Sequence, residues 1–240
     1  MKNKTITALF LAAATLPLGA YVAHAQTQTA TASDPAFTAK LRKALQENPE
    51  MVLEAAQAAQ ERIQARQRQE QEAAIAPVRA ELTAKDTVGV VIGNPNGSDS
   101  YIEFLDYNCG FCKRSHPEVK AKLAEDNDAR MVMMMRPILG PSSVTLAKYA
   151  LAADIQGKFV EADDALMTEK VDGSDAQLEQ LSNRIGIDWA KARADMNGQA
   201  VADRLARHEE YAERIAVRGT PFFITPTKII PGAVTKEQLN

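Results

Sequence analysis

The chain has 240 residues, with 28 Lys and Arg against 31 Asp and Glu, a net charge of −3 and two cysteines. This balance leaves no basic surplus to mark a nucleic-acid binder and no acidic run that would read as a solvating tail. The apolar share of 45% is ordinary for a globular protein.

Residues 1–25 have the three parts of a secretory signal peptide. Lys2 and Lys4 make a positive start. An apolar stretch at 6–22 follows, interrupted by Pro17 and Gly19, and Ala23-His24-Ala25 is a small-x-small cleavage site. Removal near Ala25 predicts a periplasmic or secreted protein in an oxidising compartment. No other run is long and apolar enough to span a bilayer. Residues 26–34, rich in Thr, Ala and Ser, read as a flexible leader.

Residues 35–86 read as a helical stalk and linker. Phe37, Leu41 and Leu45 recur every four residues. Asn48-Pro49-Glu50 then interrupts, and a second helix restarts with Pro49 in its first turn. Val52, Ala56, Ala59 and Ile63 follow at coiled-coil-like steps of four, three and four. Residues 35–63 are therefore the candidate homo-oligomerisation element. The stretch 64–72 is polar on every face apart from Ala65, as in a helix that bridges solvent between domains.

The main domain is expected over 87–240. Strands are predicted at 88–92 and 101–105, with turn chemistry at 94–98 between them. A helix is predicted over 111–125 and a third strand over 129–136, ended by Pro137. This is a βαβ unit with both cysteines at its first strand-to-helix junction. Residues 142–217 are helical in periodicity and punctuated by Gly157, Gly173, Gly186 and Gly198. A strand pair follows at 222–224 and 228–230, joined by a Thr225-Pro226 turn. Thr235-Lys236-Glu237 opens a helix that the chain end cuts off, and a complete domain would need that helix to continue.

Cys109-Gly110-Phe111-Cys112 carries the chemistry. At a helix N-terminus, the Cys109 sulfur meets unpaired backbone N–H groups and the positive end of the dipole, and both favour the thiolate. Cys112 lies about one turn on, on the same face. It is placed to attack a mixed disulfide formed at Cys109 and release the client. As a structural staple the pair would close only a tiny loop, which contributes little. Structural zinc needs four ligands, and the chain offers two Cys and three His, one of them in the signal peptide. Two thiolates also suit Cu(I), so copper at Cys109 and Cys112 is a rival reading. His116 reads as a solvent-facing helix residue. Met131, Met133, Met134 and Met135 resemble a copper-binding run, but on a central strand they read as core.

The chain resembles the disulfide bond protein family of the thioredoxin superfamily, DsbA- and DsbC-like. The matching elements are the strand at 101–105, the Cys-Gly-Phe-Cys centre, the helical insertion and Gly219-Thr220-Pro221-Phe222-Phe223. Pro117 resembles the kink proline of the active-site helix, Glu103 the buried carboxylate of the preceding strand, and Thr220-Pro221 the threonine–cis-proline pair facing the cysteines. The signal peptide and the Asn48-Pro49-Glu50 stalk make the suppressor of copper sensitivity protein C and Com1-like subgroup the best fit, with Phe111 where tyrosine is usual.

The resemblance implies an α/β thioredoxin fold with a helical insertion. It implies a redox-active disulfide between Cys109 and Cys112, supported by Glu103, Gly110, Phe111, Thr220 and Pro221. A buried Glu103 would take the Cys112 proton through water, and a cis Pro221 would leave backbone free to pair with a substrate strand. Further implied are protein clients carrying cysteines or disulfides, a membrane redox partner that resets the pair, and a homo-oligomer, a trimer in some members. The activity it points to is disulfide isomerase or reductase. The rivals are a DsbA-like dithiol oxidase and a copper-binding periplasmic protein linked to copper tolerance.

Overall fold

The computed structural model describes residues 34–239, so the signal peptide and all of the leader but Asp34 lie outside the described residues. The chain divides into two units, one to Ala59 and one from Gln60. In the first, α1 (Pro35–Glu47) starts at Asp34, whose carboxylate accepts from the Ala36 N–H at 2.9 Å, with proline in the first turn. Asn48 ends it, donating its side-chain amide to the Ala44 carbonyl at 2.9 Å, and α2 (Pro49–Leu82) begins on the next residue. Phe37, Leu41, Met51, Val52 and Leu53 are all exposed.

The second unit is built on five strands: β1 (Val90–Gly93), β2 (Asp99–Leu105), β3 (Ala129–Met135), β4 (Phe222–Ile224) and β5 (Ile229–Pro231). Their order is β1-β3-β2-β4-β5, with β2 and β3 parallel and the other pairs antiparallel. Helix α3 (Gly110–Glu125) makes the β2–β3 crossover. Five helices stand between β3 and β4: α4 (Pro141–Ile155), α5 (Phe159–Thr168), α6 (Asp175–Ile185), α7 (Trp189–Met196) and α8 (Gln199–Arg214). This is a thioredoxin fold with a helical insertion.

Both sheet faces are covered. Tyr101, Leu105, Met131, Met133 and Met135 join the core that contains Cys112 and α4. Ile102, Phe104, Val132 and Met134 point the other way, toward Tyr211 and Ala212 of α8. All four methionines of β3 are at most 1% exposed and act as core. A strand buried on both sides explains why 129–135 reads as one continuous apolar run broken only by Arg130. Arg130 spends its guanidinium on the carbonyls of Thr83 and Ala84, both at 3.1 Å, just past the end of α2.

The structure departs from the sequence reading in four places. Ile75, Val78 and Leu82 of α2 are buried in the second core, so residues ahead of position 87 pack with the sheet. Their three- and four-residue spacing resumes an apolar stripe after the polar stretch. The first strand begins at Val90, because the Val88 carbonyl accepts from His208 Nε2 and Arg204 Nε instead of a ladder partner. Lys236–Leu239 is a single 3-10 turn rather than the opening of an α-helix. His116, expected to face solvent, is 7% exposed.

Candidate active site

The site is assembled where β2 hands over to α3. Cys109 is the N-cap residue of α3 and has extended backbone; it makes no side-chain cap hydrogen bond, but its sulfur sits at the helix opening, where the Phe111 and Cys112 backbone favours its anion. Burial works against ionisation of Cys109. It is outweighed by hydrogen bonds from Thr220, Cys112 and Phe111, and the thiol is held below its ordinary value. The sulfur lies 3.1 Å from the Thr220 carbonyl, which an S–H meets as a donor, so that contact favours the thiol while the Thr220 hydroxyl favours the thiolate. Cys109 is 6% exposed under a thin cover, whereas Cys112 is fully enclosed. Desolvation, then the charge of Glu103, pushes the Cys112 thiol far up. Both are free thiols. The two sulfurs thus differ sharply in readiness to ionise.

The predicted site residues converge. Gly110 and Phe111 occupy the first turn of α3. Thr220 and Pro221, joined by a cis peptide bond, precede β4 and face Cys109 across the fold. Phe111, 55% exposed, shares with Arg218, Thr220, Pro221 and Gly232 a groove of about 570 Å³ beside the sulfur. The Arg114 guanidinium lies 4.1 Å over the Phe111 ring and holds it at the rim. Glu103 is 2% exposed on the α3 side of β2, opposite Met133 and Phe223. Desolvation first, then the charges of Asp163 and Cys109, raise its carboxyl well above the usual range.

Asp106, which the sequence reading passed over, shapes the loop before the cysteines. Its Oδ1 accepts from the Asn108 N–H at 2.8 Å, and its Oδ2 from the N–H groups of Ile138 and Leu139 at 2.8 and 3.0 Å. Its carbonyl accepts from the Cys109 N–H at 2.9 Å. Asn108 in turn donates to the hydroxyls of Ser142 and Ser143, pinning the loop to α4. An Asx turn, Asp two residues ahead of Asn, was the available signal. Asp106→Asn places an NH2 against backbone donors and is expected to lower stability by about 1–2 kcal/mol in urea melts.

His116, Tyr107 and Asp163 form a second cluster unmarked in the sequence, with Asp163 contributed by α5. Among the described residues, no group of three or more His, Cys, Asp or Glu is placed to hold a metal ion. No described helix is long and apolar enough to cross a membrane.

A family model of the DSBA-like thioredoxin domain matches residues 102–240. Three solved structures are similar. The thioredoxin-like oxidoreductase of Silicibacter pomeroyi is 33% identical with a TM-score of 0.63, over 67% of this chain and 92% of that one. The thiol-disulfide exchange protein alpha-DsbA2 of Wolbachia pipientis is 25% identical with a TM-score of 0.66, over 72% and 94%. Proteus mirabilis ScsC in a compact conformation is 25% identical with a TM-score of 0.60, over 83% and 99%. The curated relatives it matches are Na(+)/H(+) antiporters of Salinispora tropica and Salinispora arenicola, 28% and 27% identical over 141 residues, or 58% of this chain. The chain spans about a fifth of their length, 22%.

Proposed function

This chain belongs to the DSBA-like thioredoxin domain family, and from that premise we propose that it is an exported thiol–disulfide oxidoreductase acting on protein clients, as isomerase or reductase. One observation carries the proposal: a sulfur at the opening of α3, ringed by donors and thinly covered, with a second sulfur sealed beneath it.

Cys109 thiolate attacks a client disulfide. One client sulfur joins Cys109 and the other leaves as thiolate. Cys112 then displaces the client, a net reduction, or a second client thiol does, an isomerisation. The groove beside Cys109 suits an extended client segment, with Thr220 backbone at its wall. A membrane partner would reset the Cys109–Cys112 pair. Direction depends on the reduction potential of the pair against its compartment. The deciding experiment is the equilibrium with glutathione, measured alongside refolding of a scrambled disulfide protein. Recovery of activity by the reduced form supports the isomerase reading. Activity confined to the oxidised form makes the chain a dithiol oxidase. Tight Cu(I) binding at Cys109 and Cys112 without exchange would replace both with a copper-binding role.

Self-association through residues 35–63 belongs to the same reading. Phe37, Leu41, Met51, Val52, Leu53 and Ile63 are exposed apolar residues on consecutive helical segments, which suits contact with further copies of the chain. Deleting 35–63 is expected to give a monomer by light scattering, with reduction of a small disulfide retained and isomerase activity lost. An unchanged mass overturns the assignment.

A further inference from the structure

The resolving thiol is sealed in the core, so its proton needs a way out. Cys112 is fully buried and Glu103 is 2% exposed. Tyr107 and Asp163 are 1% and 3% exposed. The Tyr107 hydroxyl donates to Asp163 Oδ1 at 3.0 Å. Asp163 Oδ2 lies 3.7 Å from His116 Nδ1, a small rotation short of a hydrogen bond. His116 Nε2 lies 3.0 Å from Asp164 Oδ1, which also takes Lys120 at 2.5 Å. An Nε2–H donated to Asp164 leaves Nδ1 as an acceptor aimed at Asp163. His116 and Asp163 both line a cleft of about 380 Å³ between α3, α5 and β1, open to solvent beside Val160 and Leu123.

We propose that Tyr107, Asp163 and His116 form a proton exit that carries the Cys112 proton from Glu103 to this cleft, which shares no lining residue with the client groove. The proposal rests on the dithiol reading above. In the resolving step the Cys112 S–H bond breaks and its proton goes to Glu103 in its ionised form, the form able to accept it. The Cys109–Cys112 bond forms as the bond from Cys109 to the client sulfur breaks, and the client leaves as thiolate with that electron pair. Glu103 then passes its proton to the Tyr107 oxygen as the Tyr107 proton moves to Asp163. Asp163 hands it to His116 Nδ1, and the imidazolium releases it to cleft water. Each group ends as it began.

Asp163 is faced by Tyr107 from the loop after β2, by Glu103 from β2, by His116 and Lys120 from α3, and by Asp164 on its own helix. Burial pushes its carboxyl up to about 6, against the pull of His116 and Tyr107. That value suits a group that takes up and gives back a proton near neutrality. Burial, then the charges of Asp163, Glu103 and Cys112, hold the Tyr107 hydroxyl well above the phenol range, so it stays neutral and transmits only by exchange.

The test follows the reduced full chain reacting with oxidised glutathione, by acid quench and intact mass. Formation and decay of the glutathione adduct on Cys109 are thereby timed separately. Asp163→Asn and Tyr107→Phe are expected to slow decay by roughly tenfold or more while formation stays within about twofold. Asp163→Glu should recover most of the rate. His116→Gly should be slow and be rescued by imidazole entering the cleft. Decay at the parental rate, equal slowing of both steps, or absence of imidazole rescue overturns the relay and leaves the dithiol reading standing. A parent chain that never forms the adduct overturns both.

Discussion

Cys109→Ser is expected to abolish thiol–disulfide exchange, lowering the rate with oxidised glutathione or a scrambled protein by at least about a thousandfold. Serine keeps the N-cap geometry but offers a hydroxyl that does not ionise near neutral pH. The donors of Thr220, Phe111 and Cys112 then have no anion to stabilise. Cys112→Ser should behave oppositely. The first attack proceeds and the mixed disulfide accumulates, because nothing behind Cys109 can displace the client. Non-reducing gels and intact mass separate the two variants directly. Iodoacetamide trapping across pH should place the Cys109 inflection below about 8.5, the value of an unperturbed thiol. A Cys109→Ser chain with unimpaired exchange would end the mechanism, as would an ordinary inflection combined with inertness toward glutathione.

The second large effect concerns stability in acid and centres on His208. This side chain is 0% exposed on α8, bridging the end of β3 and the segment ahead of β1. The Met135 N–H donates to Nδ1 at 2.9 Å, and the Val88 carbonyl lies 2.9 Å from Nε2. Those partners admit one neutral tautomer, with the proton on Nε2. A proton on Nδ1 would meet a backbone donor, so the charged form has no place here. Burial is the main cause of a pKa pushed down from 6.5 to about 4, with the Val88 carbonyl pulling the other way.

Between pH 6.5 and 4 the unfolded chain therefore binds a proton that the native chain refuses. The His208 contribution is complete above pH 6.5 and is lost as pH falls through this window, by about 3 kcal/mol in total. Glu103 and Asp163 run in the opposite sense. Their native carboxyls are raised, so the native state takes up their protons first and gains stability as the pH drops. The readout is accordingly the difference between the parent and His208→Gln, whose amide offers an NH2 donor group and a carbonyl acceptor but no titration. That difference should shift by about 3 kcal/mol in favour of the variant from pH 7 to pH 4, in urea melts at each pH. A constant difference across the range would show that His208 does not couple folding to acid.

Much of the site was legible because it is local. Cys-x-x-Cys after a short strand places one sulfur at a helix opening and the other a turn later, whatever the rest of the chain does. The second helix restarts at Pro49, as the Asn48-Pro49-Glu50 element implied, because a proline needs no N–H partner in a first turn. Glu103 was not legible in the same way. Strand alternation says that Glu103, Tyr101 and Leu105 share a face, but not which faces are covered. Helices α2 and α8 on one side and α3 and α4 on the other bury both. His116 was misread for a related reason. Its neighbours Lys113, Arg114 and Lys120 make that part of α3 look solvated, while α5 lies over it with Asp163 and Asp164. The end of α2 shows a third case, since three apolar residues after a long polar stretch declare a face without declaring what meets it.

The amino-acid order by itself determined the local chemistry: where the helices at Pro35 and Pro49 begin, which strand is apolar but for one arginine, and that two thiols sit one turn apart at a helix mouth. Tertiary structure alone decided which distant groups act on them. Thr220 reaches Cys109 across 111 positions, Asp163 reaches Tyr107 across 56, and His208 reaches Met135 across 73. The physical reason is that periodicity and turn propensity report interactions within a few residues. Ionisation of a buried group is instead set by desolvation and by charges that only the packed chain brings near.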